Sequence, residues 1–103
     1  MVRHIVMWNY KDGFSQAENI ENAKRVKREL ESLPQLIDGL VELVVRADAL
    51  PSSNKDIILD SLFESVEALA AYQAHPEHKR VGAFVQTVVQ DRVCIDYYED
   101  ADK

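Results

Sequence analysis

Apolar and other positions alternate through VRHIVMWNY, residues 2–10, with Val2, His4, Val6 and Trp8 on one side, which predicts a strand. The turn KDG ends it. Ser15 then stands three residues before Glu18, the spacing of a capping box, and Ile20, Ala23, Val26, Leu30 and Leu33 follow at about 100° per residue. That is an amphipathic helix, which Pro34 stops. Gly39 opens a second strand, LVELVVRA, and ALPSSNKD reads as loop. DIILDSLFE predicts a third strand with Ile57, Leu59 and Phe63 on one side. Ser65 caps a helix whose Val66, Leu69, Ala70 and Gln73 share a face, and Pro76 interrupts it. A second helical segment carries Val81, Phe84, Val85 and Val88. RVCIDYY is the last strand, and the tail is polar.

Strand, helix, strand, strand, helix, strand is the order of a split βαβ, so the fold class is α+β, ferredoxin-like, with a four-stranded antiparallel sheet. Helices cover one face, expected to carry His4, Val6, Trp8, Val41, Leu43, Val45, Ile57, Leu59, Phe63, Val93 and Ile95. The other face would hold Arg3, Ile5, Met7, Leu40, Val44, Ile58, Leu62 and Cys94, with Glu42, Asp56, Asp60 and Asp96 among them. Two helices cannot cover both faces. A second copy would cover the bare one, so the pattern predicts a homodimer with sheets packed face to face, on strand parities that a one-residue slip would reverse.

The 103 residues allow one domain, expected over 1–99 with a polar tail at 100–103. Apolar residues at 47% support a compact globule. Eighteen acidic against twelve basic side chains leave a net charge of -6, which argues against nucleic-acid binding and against anionic membranes. The basic cluster AKRVKRELE is flanked by acids at spacings that allow Glu21–Arg25 and Lys27–Glu31 pairs, and reads as a solvated helix face. The single cysteine, Cys94, forbids an intrachain disulfide and sits in an apolar run as a small buried residue. No charged leader precedes an apolar core, and no apolar run nears the ~18 residues of a membrane span, so a soluble cytoplasmic protein is expected.

The stretch AYQAHPEHKRVGAF carries the chemistry. Proline favours the first helical position, which makes His75 the cap before Pro76 and puts His78 at the third position. On the helical wheel His78 lies about 20° from Val85 and about 60° from Val81, at the border of the core-facing stripe. Tyr72 borders the buried stripe of its own helix. Both could lean toward the sheet face that carries His4 and Trp8. A helix N-terminus disfavours a histidine cation, so His78 is expected to be neutral and able to accept a proton, while Tyr72 stays protonated and can donate to a carbonyl oxygen. Together they could abstract a proton alpha to a carbonyl and stabilise the enolate. Each residue also has a plainer structural reading. His75 caps a helix, His78 donates to a backbone carbonyl, Tyr72 packs, and His4 is a hydrogen-bonded core histidine. His75 and His78 could share a metal, but Pro76 disturbs their register and no third ligand has firm spacing, so no metal site is expected. No phosphate loop or serine elbow is present, and no cofactor is expected.

HIVMW, then DIILDSLFESVEALAAYQAHPEHKRVGAFV and a closing VCIDYYE, resemble the stress-responsive dimeric α/β-barrel family over nearly the whole chain, least in the 47–55 loop. The most specific elements are Phe63–Ser65 and Tyr72–His78. The resemblance implies a ferredoxin-like dimeric α/β barrel. Plant polyketide cyclases of the olivetolic acid type are similar, and that resemblance implies Tyr72 and His78 as the catalytic pair and His4 as a pocket residue. A further pocket histidine of those enzymes is Ile57 here, and their first-helix aromatics are Ile20, Ala23 and Val26 here. The expectation is a small apolar or aromatic ligand held by His4, Trp8, Phe63, Val81 and Phe84 between sheet and helices, with cyclase- or isomerase-like chemistry. Two alternatives remain open: a non-catalytic stress-associated dimer, and a cofactor-free monooxygenase or haem-degrading enzyme of the wider dimeric α/β-barrel superfold.

Overall fold

The computed structural model describes residues 1–99; the polar tail expected at 100–103 lies outside them. Strand β1 spans Val2–Tyr10, helix α1 Gln16–Glu31, β2 Leu40–Arg46, β3 Ile57–Phe63, α2 Val66–Ala74, α3 Pro76–Val85 and β4 Val89–Tyr98, with one 3-10 turn at Leu33–Gln35. The sheet order is β2-β3-β1-β4, and every neighbouring pair is antiparallel. This is the ferredoxin-like arrangement of the βαββαβ order.

Local chemistry sets the element boundaries. Ser15 and Glu18 form the reciprocal capping box at the start of α1, and the Ser65 hydroxyl accepts from the Ala68 amide at the start of α2. His75 ends α2 in extended conformation and begins α3, its Nδ1 accepting from the Glu77 amide at 3.1 Å. Pro76 occupies the first position of α3, where its missing N–H costs nothing.

The core lies between the sheet and the three helices. Val2, Val6, Trp8, Leu43, Val45, Ile57, Leu59 and Phe63 meet Val26, Leu30, Leu69, Tyr72, Val81 and Val85 there. At the β2 edge, the Lys27 ammonium donates to the Val45 carbonyl at 2.7 Å and the Val45 amide donates to Glu31 at 2.9 Å. The Lys27–Glu31 ion pair itself closes at 2.7 Å. It satisfies backbone groups that an edge strand would otherwise leave bare. Arg25 does not pair with Glu21, as the spacing suggested. It turns to Glu29 at 3.3 Å and lies 3.8 Å from the Phe84 ring centroid, while Lys24 takes Glu21.

The two edge strands depart from the sequence reading. In β2 a bulge between Leu40 and Glu42 turns Leu40 inward and leaves Val41 exposed, the reverse of the expected assignment. In β4, Val93 and Ile95 pair with Met7 and Ile5 on the face away from the helices. Cys94 and Asp96 pair with Val6 and His4 on the helix face. Directly opposed residues share a face, so β4 runs in the opposite parity to that expected. The helices do not reach the outer edge, and both faces of β4 are exposed from Asp91 onward, Cys94 included. With neither face buried, alternation along RVCIDYY carries no label for inside.

Candidate functional site

A cleft of about 390 Å³ opens between the helix face of the sheet and α1 and α3. Val6, Trp8, Leu30, Leu59, Val85 and Val89 supply apolar walls, and His4, Tyr72 and His78 supply the titratable groups. Gln90, Asp91 and Arg92 line its β4 side. A larger depression of about 470 Å³ lies beside the 46–58 segment, lined by Met7, Arg46, Asp48, Lys55 and neighbours. It holds no histidine, tyrosine or cysteine, and Arg46 is already tied to Asp48 at 2.8 Å. The chemistry therefore centres on the smaller cleft.

Its deepest group is Tyr72, on α2 and almost fully buried. The ring packs edge-on against Phe63, with centroids 4.9 Å apart. Across the corner made by His75 and Pro76, the His78 ring approaches Tyr72 with centroids 4.3 Å apart and planes tilted by 48°. Burial pushes the Tyr72 phenol well above its ordinary value, with the Arg92 guanidinium pulling it back, so it remains a proton donor at neutral pH. Burial also lowers His78; the Gln73 backbone opposes this, and the neighbouring His4 and Arg92 add to it. His78 is therefore a neutral imidazole at pH 7. Its Nδ1 is buried and has no hydrogen-bond partner among the described residues.

His4 stands on β1 at the inner wall, 3% exposed. Its ring lies edge-on to Phe63 at 6.1 Å and to Tyr72 at 6.3 Å. Its Nδ1 is hydrogen-bonded to Asp96 on the adjoining strand. An ionised carboxylate only accepts, so the contact places the proton on Nδ1 and leaves Nε2 with the lone pair. The Cys94 sulfur lies 3.7 Å from the same Nδ1 and 3.7 Å from Asp96 Oδ1. Burial, followed by the charge of Asp96, holds this thiol above its ordinary value.

The structure thus brings together His4, Trp8, Tyr72 and His78 among the residues singled out from sequence. Phe63 and Val81 are fully buried behind the cleft rather than lining it, and Phe84 lies under Arg25. Sequence reasoning missed Arg92, Cys94 and Asp96. They stand at i, i+2 and i+4 on one strand, a signal that becomes readable once the parity of β4 is known. Among the described residues, His4, Cys94 and Asp96 are the group whose donor atoms lie close enough to hold a metal ion.

Comparison with known proteins places these features in a family. No curated protein matches the sequence. Among solved structures, the chain is similar to a dimeric protein of unknown function and ferredoxin-like fold from Bacteroides fragilis, at 28% identity and a TM-score of 0.86 over 93% of each chain. It is also similar to a protein of Arabidopsis thaliana, at 26% identity and a TM-score of 0.78 over 98% of this chain and 97% of that one. A hydroxynitrile lyase from Passiflora edulis shares the fold at 19% identity, with a TM-score of 0.79 over 97% and 94%. No helix among the described residues is long and apolar enough to cross a membrane. Residues 2–99 match the model of the stress responsive A/B barrel domain, and the chain belongs to that family.

Proposed function

We propose that this protein is a homodimer that binds a small apolar or aromatic carbonyl compound in the cleft between sheet and helices. There it performs cyclase- or isomerase-like acid–base chemistry, with His78 as base and Tyr72 as hydrogen-bond donor. The observation that carries this reading is the pairing of a neutral His78, whose Nδ1 has no hydrogen-bond partner among the described residues, with a protonated Tyr72, ring centroids 4.3 Å apart, on the wall of an apolar cleft. The imidazole takes a proton alpha to the carbonyl. The phenol donates to the oxygen as charge develops there, and Val6, Trp8, Leu59 and Val85 keep water from the enolate. Trp8 and His4 contribute to ligand contact from β1. The dimer is supported by the apolar face that the helices leave bare, and by similar proteins described as dimeric. A cytoplasmic setting agrees with the free thiol of Cys94.

Deuterium exchange at the acidic carbon of an aromatic 1,3-dicarbonyl ligand, followed by NMR, tests the reaction. Wild type should accelerate exchange, and His78→Gln should lose roughly 10²–10⁴-fold of that acceleration while still binding the ligand. Equal exchange by wild type and His78→Gln would leave the non-catalytic dimer as the better reading.

A further inference from the structure

His4, Cys94 and Asp96 serve the proposed reaction only in part: Cys94 has no role in it. Yet their three donor atoms converge. Cys94 and Asp96 stand two apart on β4 and so project from the same face, and His4 is the cross-strand partner of Asp96. Two ligands at i and i+2 on one strand and a third on its neighbour form a triangle that the backbone ladder already holds. We propose that these residues bind a borderline divalent cation of the Zn²⁺ class through His4 Nδ1, Cys94 Sγ and an Asp96 carboxylate oxygen, with a fourth position left open.

The distances fit the donor set. A tetrahedral zinc with bonds of about 2.3 Å to sulfur and about 2.0 Å to nitrogen or oxygen separates sulfur from either of the others by about 3.5 Å, and nitrogen from oxygen by about 3.3 Å. Sγ lies 3.7 Å from Nδ1 and 3.7 Å from Oδ1. Only the hydrogen-bonded Nδ1–Oδ1 contact has to open, and Asp96 is free to do so because its side chain is 42% exposed. His4 cannot drift, being enclosed by Phe63 and Tyr72. On binding, the thiol proton is released to solvent, and the single imidazole proton passes from Nδ1 to Nε2, leaving the Nδ1 lone pair for the ion. An imidazole, a thiolate and a carboxylate suit zinc better than magnesium or calcium, which prefer oxygen alone. The exposed edge of β4 leaves an entry path from water. Three protein ligands and one open position describe an exchangeable or reactive site rather than a closed structural one.

The full chain, freed of metal by dialysis against a chelator and kept reduced, is titrated with Co²⁺ and then with Zn²⁺. One Co²⁺ per chain should bind with a thiolate-to-cobalt charge-transfer band in the near ultraviolet, and Zn²⁺ should displace it. Loss of an outer partner of a metal ligand already costs about 10–100-fold in affinity, so Cys94→Ser and Asp96→Asn should weaken Zn²⁺ by at least that factor. Cys94→Ser should also abolish the band. Both side chains are exposed, so the fold survives their replacement, and unchanged circular dichroism verifies it. His75→Gln should leave binding untouched. The proposal falls if wild type gives no band, if the exposed-edge variants bind as tightly as wild type, or if His75→Gln alone removes binding.

Discussion

The rings of Tyr72 and His78 sit 4.3 Å apart across a break between two helices, six positions apart in sequence. An uninterrupted helix would turn these positions about 120° away from superposition, since six residues at 100° each make 600°. The extended His75 and the proline behind it redirect the chain and bring the two rings together. The corner is what makes an acid–base pair out of two ordinary side chains.

If the corner depends on its cap, His75→Ala should loosen the start of α3. The side chain holds the Glu77 amide at 3.1 Å, and losing a cap of this kind costs about 1 kcal/mol. His75→Asn, which can accept the same hydrogen bond, should recover most of it. Urea denaturation of the three proteins compares them. Equal midpoints for His75→Ala and wild type would mean the cap carries no weight.

Tyr72 separates packing from chemistry. Tyr72→Phe keeps the edge-on contact with Phe63 and should stay within about 1 kcal/mol of wild-type stability, while abolishing donation to a bound carbonyl. Tyr72→Ala opens a void in the core and should cost about 3–5 kcal/mol. Denaturant melts alongside ligand titration resolve the two. A Phe variant that binds and turns over like wild type would remove the hydroxyl from the mechanism.

His78 makes stability depend on pH in a definite direction. Burial first, then the charges of His4, Arg92 and His75, hold its folded value below 6.5, against the opposing Gln73 backbone. The unfolded chain therefore takes up the proton first as pH falls. The stabilising contribution is complete above about pH 6.5 and declines as pH drops from there toward the lower folded value. Unfolding midpoints measured from about pH 7.5 down to about pH 5.5 should fall more steeply for wild type than for His78→Gln. Parallel curves would mean that this imidazole titrates alike in both states.

Which parts of this molecule were legible beforehand follows from which surfaces are buried on one side only. Strands β1 and β3, central in the sheet, show strict alternation because one face meets helices, and Val2, His4, Val6 and Trp8 were placed correctly from it. Helix starts were legible because caps are local chemistry. The edges were not. The bulge at Val41 has no sequence mark of its own, and β4 is exposed on both faces, so strand parity does not tell which way Val93 and Ile95 point. That ambiguity hid Asp96 and Cys94 from the site, although His4 was in view. Phe63, Val81 and Phe84 fall on the expected faces of their elements, yet Phe63 and Val81 lie fully buried behind the cleft, and Phe84 is held by a guanidinium on another helix.

Two glycines should respond oppositely to alanine. Gly39 has φ +83°, and a Cβ there would meet the Ala68 Cβ at 2.7 Å, so Gly39→Ala carries both left-handed strain and a clash. A loss of about 2 kcal/mol or more is expected. Gly82 is helical and has nothing within 4 Å of its would-be Cβ. Gly82→Ala should gain up to about 1 kcal/mol from helix propensity, yet it adds a methyl to a residue that lines the cleft. Raised melting temperature with weakened ligand binding is the expected pair of results. Tightened binding of a bulky ligand would show that the occupied space lies elsewhere.

The face away from the helices sets the last prediction. Ile5 opposes Ile95 and Met7 opposes Val93 there, with Ile95 58% and Val44 45% exposed in the single chain. Arg3 stands at one end of this patch and is already satisfied, donating to Glu42 at 3.1 Å and Asp60 at 3.0 Å and forming an ion pair with Glu99. Charges paired in this way can be enclosed by a second sheet at modest cost, whereas a new unpaired one cannot. Ile95→Arg should therefore abolish self-association while costing the isolated fold no more than about 0.5 kcal/mol, since Ile95 buries little within its own chain. Sedimentation at micromolar concentration, with circular dichroism to verify folding, distinguishes the outcomes. A folded wild type that sediments as a single chain would mean this layer tolerates water, and the barrel built from two such sheets would have to be abandoned.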